Sequence, residues 1–166
     1  MARRPRGVAI RPMRAADVPA VARIERAVFG REAWPTIAFT RLVRDFRRAG
    51  PARGRLWVAT GGGAIVGYLG LELSALGGEA DIINLAVAEG ARRRGIGRRL
   101  LRTAEAYCAD RGIPLLWLRM RASNRRAWRF YQRTGFRVVG RFRDYYEEPD
   151  EGAVLMAWGR YWRARP

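Results

Sequence analysis

The sequence contains no histidine and no lysine; all 33 of its basic residues are arginines. Histidine and lysine are the nitrogen bases an enzyme can tune, whereas arginine never gives up its proton in a protein. A proton acceptor in this chain is therefore Asp, Glu, Tyr, Cys or a polarised water. Cys108 is the single cysteine. No internal disulfide can form, and without histidine or a cysteine cluster there is no ordinary zinc site, so no metal is expected. No run approaches the roughly 18 to 20 apolar residues of a membrane span, and the start, MARRPR, lacks the apolar core of a signal peptide. The expectation is a cytoplasmic protein with no membrane association. Acidic residues are scarce as well, 15 in all, which leaves a formal charge of +18. Such an excess suits an acidic partner such as ribosomal RNA, or an anionic cofactor, through steering and counterion release. A GC-rich coding bias toward Arg, Ala and Gly accounts for it equally well.

What is present is a chain of 166 residues, 49% of them hydrophobic, enough for one domain with a substantial core. Residues 1–7 read as a basic flexible tail and 8–162 as the domain. VAIRPM (8–13) alternates as a first strand. Asp17 is placed to cap a helix in which Val18, Val21, Ile24, Ala27 and Val28 recur at helical spacing as far as Phe29. A second helix runs from about Pro35 to Ala49 through Ile37, Phe39, Leu42, Val43 and Phe46, joined to the first by FGREAWP. RLWVAT and AIVGYLGLEL read as strands linked at Gly61-Gly62-Gly63, whose φ freedom suits a tight hairpin. A further strand covers about 79–88. Ile96, Leu100, Leu101, Ala104, Tyr107 and Cys108 line one face of the next helix, which ends at Gly112. LLWLRM follows as a strand, then a helix with Ser123 or Asn124 as its N-cap and Gly135 as its stop, then strands near 136–143 and 153–161. The order β-α-α-β-β-β-α-β-α-β-β implies an α/β domain, a mixed sheet of about seven strands with helices on both faces.

The strongest local feature is INLAV running into AEGARRRGIGRRLL: a strand, a basic loop with Gly95 and Gly97, then an amphipathic helix. This geometry binds phosphate. Glycines let an anion approach the backbone, and the free N–H groups and positive dipole end of the helix point at it. Arg92, Arg93, Arg94 and Arg98 add charge. A solvated basic turn before a surface helix is the plainer alternative. The spacing is not the dinucleotide fingerprint, which needs GxGxxG within a βαβ unit.

The segment from Arg92 through Gly97 matches Q/R-x-x-G-x-G/A, the pyrophosphate motif of the GNAT superfamily of N-acetyltransferases, which this sequence resembles. WLRMRASN followed by RAWRFYQRTGF is similar to that family's fifth strand and following helix. RDYYEEPDEGAVLMAW resembles the closing hairpin of RimI-type and related N-terminal acetyltransferases, and FGREAWP resembles the loop between their first two helices. The likeness covers about residues 8–160. It implies acetyl-CoA as acetyl donor and a protein or peptide amino terminus as acceptor, a ribosomal protein among the candidates. Leu85, Ala86 and Val87 would pair their backbone with the pantetheine arm in the manner of an added strand. Arg93, Arg94, Gly95, Ile96, Gly97 and Arg98, beside Arg92, would hold the pyrophosphate. Asn124 matches a cofactor-contacting asparagine and equally suits a helix cap. Tyr131 matches the tyrosine that protonates the departing thiolate, for which a phenol of reference pKa near 10 is suited; simple packing is its other reading. Tyr145 and Tyr146 match a tyrosine pair that closes over the acceptor, and Glu32 lies on the opposite wall of that groove. Core packing by the tyrosines, and solvation of Glu32, are the competing roles.

Two departures stand out. Gly152 occupies a place where the family usually has aspartate. Arg119 stands where RimI-type enzymes carry a glutamate base. Strand alternation puts Trp117, Arg119 and Arg121 on one face, toward the cleft, with Leu116, Leu118 and Met120 on the other. Glu79 and Asp81 on the neighbouring strand are the nearest carboxylates that could replace the base, and Glu79 is assigned that role. Either could instead be a salt-bridge partner of Arg119. The reading is direct attack by a neutral amine. An acetyltransferase for an aminoglycoside, polyamine or other small amine, and a catalytically impaired domain that binds RNA or the ribosome, are the alternatives.

Overall fold

A computed structural model describes residues 7–147 and 149–159. The basic segment 1–6 and the last residues assigned to the final strand, 160–161, lie outside the described residues. The strands and helices read from periodicity occur in the expected order: β1 (Ala9–Pro12), α1 (Val18–Phe29), α2 (Thr36–Ala49), β2 (Gly54–Gly61), β3 (Ala64–Leu73), β4 (Glu79–Val87), α3 (Ile96–Ala109), β5 (Leu115–Arg121), α4 (Arg125–Arg133), β6 (Arg137–Glu147) and β7 (Asp150–Gly159). The seven strands form one mixed sheet in the order β1-β2-β3-β4-β5-β7-β6. Among the described residues only β4 and β5 run parallel, joined by the crossover through α3. No helix among the described residues is long and apolar enough to cross a membrane.

The two faces of the sheet are covered by different helices, because each strand's alternate residues need separate apolar partners. On one face Val21 and Ile24 of α1 and Phe39 and Phe46 of α2 pack against Val58, Tyr68 and Ala86. On the other, Leu100, Leu101 and Ala104 of α3 and Tyr131 of α4 pack against Leu69, Ile82, Leu116, Leu118 and Met156. Leu116, Leu118 and Met120 of β5 are buried in this second cluster. Trp117, Arg119 and Arg121 therefore project to the α1–α2 side, as the alternation predicts.

Local chemistry explains most boundaries. Gly62 and Gly63, at φ +61° and +88°, make the two-residue turn between Gly61 and its partner Ala64, the backbone that favours glycine at both positions. Asn124 caps α4, its side-chain oxygen accepting from Ala127 N at 3.0 Å. Asp17 does not cap α1 with its side chain, contrary to expectation. Its carboxylate accepts from Arg14 N at 2.7 Å and from the Arg11 guanidinium at 2.6 and 2.8 Å, holding β1 to the start of the helix. The final hairpin is longer than its alternation suggested. β6 continues past Arg143 through a bulge in which Asp144 has φ +49° and no residue from Arg143 to Tyr145 is in register with β7. Gly152 serves that bulge: a Cβ there would lie 2.6 Å from the Phe142 carbonyl oxygen, so the aspartate usual in the family cannot fit without a backbone shift.

Candidate functional site

β4 and β5 are in register at only three positions, Glu79 to Asp81 against Leu115 to Trp117. Beyond them β4 stays with β3 and β5 stays with β7, so Leu85, Ala86 and Val87 have a strand partner on one edge alone. A backbone edge inside a folded domain needs hydrogen-bond partners. The gap between these two strands is where an extended ligand can supply them.

The gap opens onto the glycine loop. Arg93 has φ +60° and Gly95, the N-cap of α3, has φ +75°. The step from left-handed Gly95 into the right-handed first turn of α3 leaves the free N–H groups of the helix start on one side, the arrangement that binds anions there. A left-handed arginine is uncommon and is found where the surrounding loop dictates it. Arg93, Arg94, Gly95 and Arg98 are exposed, while Ile96 is buried and anchors the helix. Arg92 is half-buried beside them, and its Nε donates to the Val87 carbonyl at 3.0 Å, holding the loop to the strand it leaves.

Gly97 is the point of closest packing. A Cβ there would stand 3.2 and 3.3 Å from the Phe130 ring and 3.8 Å from a Val87 methyl. Valine in its place would push on α4 and narrow the approach to the loop. Gly97→Val is expected to weaken binding of a pyrophosphate-bearing ligand by at least about tenfold, roughly 1.4 kcal/mol, with the circular dichroism spectrum retained. Calorimetry reads the affinity, and unchanged binding would place the ligand elsewhere.

On the α1–α2 side of the sheet an open cavity of about 810 Å³ is lined by Glu72, Glu79, Asp81, Trp117 and Arg119 among others. Arg119 is paired with Asp81 at 2.6 Å. Burial pushes the Asp81 carboxyl above the usual carboxylate range, against the downward pull of Arg119. Glu79 is exposed at the start of β4 and has no ion pair among the described residues. Nearer the gap, Arg121 gathers both walls. Its Nε lies 2.8 Å from Glu32 in the α1–α2 connection, its Nη1 lies 3.4 Å from Glu151 in β7, and its guanidinium covers the Tyr146 ring at 4.1 Å. Tyr145 is half-exposed beside Tyr146, their rings 5.0 Å apart. Glu32, Tyr146 and Tyr145 are thus brought together around Arg121, while Arg119 lines the cavity beside them with Asp81. Arg121, which joins two of them, received no role from sequence.

Behind the gap, Tyr131 is buried, its ring 5.1 Å from Phe130 and 5.3 Å from Phe136. Burial in this apolar setting pushes its phenol pKa well up, so it stays protonated. Cys108 is buried in the same core, its thiol pushed up to about 11 by desolvation, which leaves it inert.

Sequence reasoning also missed Glu25. The side chain is 1% exposed and accepts from Trp34 N at 2.9 Å, from Asn84 Nδ2 at 3.1 and 3.2 Å, and from the Tyr68 hydroxyl. It thereby ties the α1–α2 connection to β3 and to β4 beside its bulge, where the register skips Ile83. The signal was available: Glu25 sits on the stripe Val18, Val21, Glu25, Val28 of α1, a charge on an apolar face.

Residues 18–136 match the Acetyltransferase (GNAT) family. The chain is 34% identical over 154 residues to the N-alpha-acetyltransferase RimI of Mycobacterium tuberculosis, covering 90% of each chain. It is 40% identical over 81 residues to the [ribosomal protein bS18]-alanine N-acetyltransferase of Escherichia coli. That match takes in 48% of this chain and 55% of the relative, so the aligned stretch spans about half the length of the curated relative. The crystal structure of the ribosomal-protein-S18-alanine N-acetyltransferase from Escherichia coli superposes with a TM-score of 0.79 at 27% identity, over 92% of this chain and 94% of that one.

Proposed function

The chain belongs to the acetyltransferase (GNAT) family, and from that premise we propose that it moves an acetyl group from acetyl-CoA to the α-amine at a protein's amino terminus, in the cytoplasm, with a ribosomal protein as the acceptor class. Acetyl-CoA fits the residues present. The left-handed positions at Arg93 and Gly95, before the free N–H groups of α3, suit an anion, the half-paired edge Leu85 to Val87 suits the amide-bearing pantetheine arm, and Asn124 lies at the start of α4. The relatives named for N-terminal and ribosomal-protein-alanine acetylation support the acceptor.

Acetyl-CoA supplies an acetyl group already activated as a thioester. Its transfer forms a nitrogen–carbon bond, breaks the carbon–sulfur bond, and requires one proton to leave nitrogen and one to reach sulfur. Tyr131 serves the sulfur. Tyr145, Tyr146 and Glu32 close the groove around the acceptor's first residues, and Arg121 braces that closure.

The observation that carries the acceptor class is the pairing of Arg119 with Asp81. Arg119 matches the family's base position by resemblance, and its pairing engages the neighbouring carboxylate, which leaves exposed Glu79 to take a proton through water. A site with so weak a base favours an amine that is already neutral. An α-amine of pKa about 8 is roughly a tenth neutral at pH 7, whereas a lysine of pKa about 10.4 is neutral in only a few molecules per ten thousand. Small polycationic amines are opposed by the protein's own charge.

With an N-terminal alanine peptide, kcat/KM is expected to rise with pH and level off near about pH 8, where the substrate amine is deprotonated. Glu79→Gln is expected to lower it less than about tenfold, a solvated carboxylate acting through water being a modest contributor. Pre-steady-state and steady-state rates between pH 6 and 9 read both. Faster acetylation of lysine side chains or a polyamine than of the peptide removes the acceptor assignment. A profile already flat at pH 6.5, or a Glu79→Gln loss far beyond tenfold, transfers the base role to Glu79.

A further inference from the structure

We infer that the outer face of α4 and the neighbouring edge strand β6 form a docking surface for the phosphate backbone of RNA. The inference rests on the acceptor class proposed above only in choosing RNA among polyanions. Between Asp110 and Asp144 the chain has ten arginines and not one Asp or Glu. That stretch contains α4 and the first half of β6, at the end of the sheet. Arg125, Arg129 and Arg133 recur every fourth residue of α4, so they stand one above another on its solvent side, with Arg126 beside them, and all four are exposed. Arg137, Arg141 and Arg143 are exposed on β6. The Arg141 guanidinium lies over the Trp128 ring at 4.9 Å, which joins strand and helix into one basic surface.

None of these seven arginines is in an ion pair among the described residues. The arrangement works against the helix that carries it. Like charges three and four residues apart destabilise a helix, and α4 holds three such pairs, 125 with 129, 126 with 129 and 129 with 133, with no glutamate to relieve them. An anionic backbone alongside supplies the missing counter-charge. Arginine suits that role, since its planar guanidinium meets phosphate through paired hydrogen bonds.

The surface is separate from the cofactor cradle. Phe130, Ala127 and Tyr131 of α4 turn inward, Phe130 toward Gly97 and all three against the core, while the arginine row faces out. RNA bound there lies along the end of the sheet whose β6–β7 hairpin borders the acceptor groove. An amino terminus presented from a ribonucleoprotein is thereby brought to the site by its own RNA, without contacts to its sequence.

The test is fluorescence anisotropy of a labelled RNA hairpin with the full-length protein saturated with CoA, so that the glycine loop is occupied. Two triple variants change the charge equally. Arg125→Glu with Arg129→Glu and Arg133→Glu removes the α4 row, and Arg41→Glu with Arg44→Glu and Arg48→Glu changes exposed arginines of α2. The α4 variant is expected to lose about a hundredfold in affinity at about 0.1 M salt and to flatten the salt dependence by about three phosphates' worth, while the α2 variant loses less than about fivefold. Acetylation of free peptides stays unchanged in both. Equal losses in the two variants, tighter binding of poly-glutamate, or preference for a DNA hairpin of the same sequence overturns the inference. Failure of the wild-type protein to acetylate any peptide sinks the acceptor reading instead and leaves the RNA measurement standing.

Discussion

Replacing Tyr131 with phenylalanine is expected to lower kcat with an N-terminal peptide by about a hundred- to a thousandfold while acetyl-CoA affinity moves by less than about threefold. The substitution removes one oxygen and keeps the ring. Its packing against Phe130 and Phe136 therefore survives, as does the amphipathic face of α4 on the core. What disappears is the hydroxyl proposed to donate to the sulfur as it acquires negative charge. Burial pushes the phenol pKa far up, so it is protonated across any practical pH range. The same desolvation would make a thiolate bound beside it more basic, which would keep donor and acceptor matched. Steady-state kinetics and calorimetry on one preparation separate the two effects. A loss under about tenfold leaves Tyr131 with packing alone, and a parallel loss of acetyl-CoA binding shows that the helix has moved.

The fold was legible because its elements are encoded locally. The apolar spacing of Val18, Val21 and Ile24, the alternation of β5 and the glycines at 62, 63 and 95 each act within a few residues of themselves. The glycine loop was legible for the same reason: the left-handed turn that starts α3 is written in Gly95, a residue type that permits it. Even the side of β5 that Arg119 takes, opposite buried Leu118 and Met120, followed from period two. β6 escaped its full length because Asp144 at φ +49° breaks the alternation while the pairing resumes at Tyr146.

The site's internal ties were a different matter. Asp81 and Arg119 are 38 positions apart, and Glu25 and Asn84 are 59 apart. Nothing local to either member says which partner it will meet. Both carboxylates of β4 stood as candidates for Arg119, and only the register of β4 with β5 selects Asp81, opposite Trp117, over Glu79, opposite Leu115. Gly152 was visible as a departure from the family without a cause. The cause is the bulged partner strand, whose Phe142 carbonyl occupies the space a side chain would take.

Glu25 carries the largest expected effect on stability. Truncation to alanine removes the one acceptor shared by Trp34 N, Asn84 Nδ2 and the Tyr68 hydroxyl, in a place with 1% exposure. Each buried donor left without a partner costs about 1–3 kcal/mol, and the emptied volume adds to it. A loss of about 4 kcal/mol or more is a large part of the roughly 5–15 kcal/mol that holds a domain together. It lowers the melting temperature by about 8–16 °C for a chain of this size. Glu25→Gln separates the hydrogen bonds from the volume. Its oxygen can still accept from Trp34 N, but its amide presents a donor to the Asn84 amide, so about 1–2 kcal/mol is expected to go. Because Asn84 adjoins the skipped Ile83 and Trp34 ends the connection that holds Glu32, the same Gln variant is expected to raise the peptide KM severalfold in protein that is still folded. Urea denaturation read by tryptophan fluorescence measures the first effect and kinetics well below the melting temperature the second. An alanine variant within about 1 kcal/mol of the parent would mean that water enters and replaces the carboxylate. A destabilised Gln variant with an unchanged KM would confine Glu25 to holding α1 on the sheet.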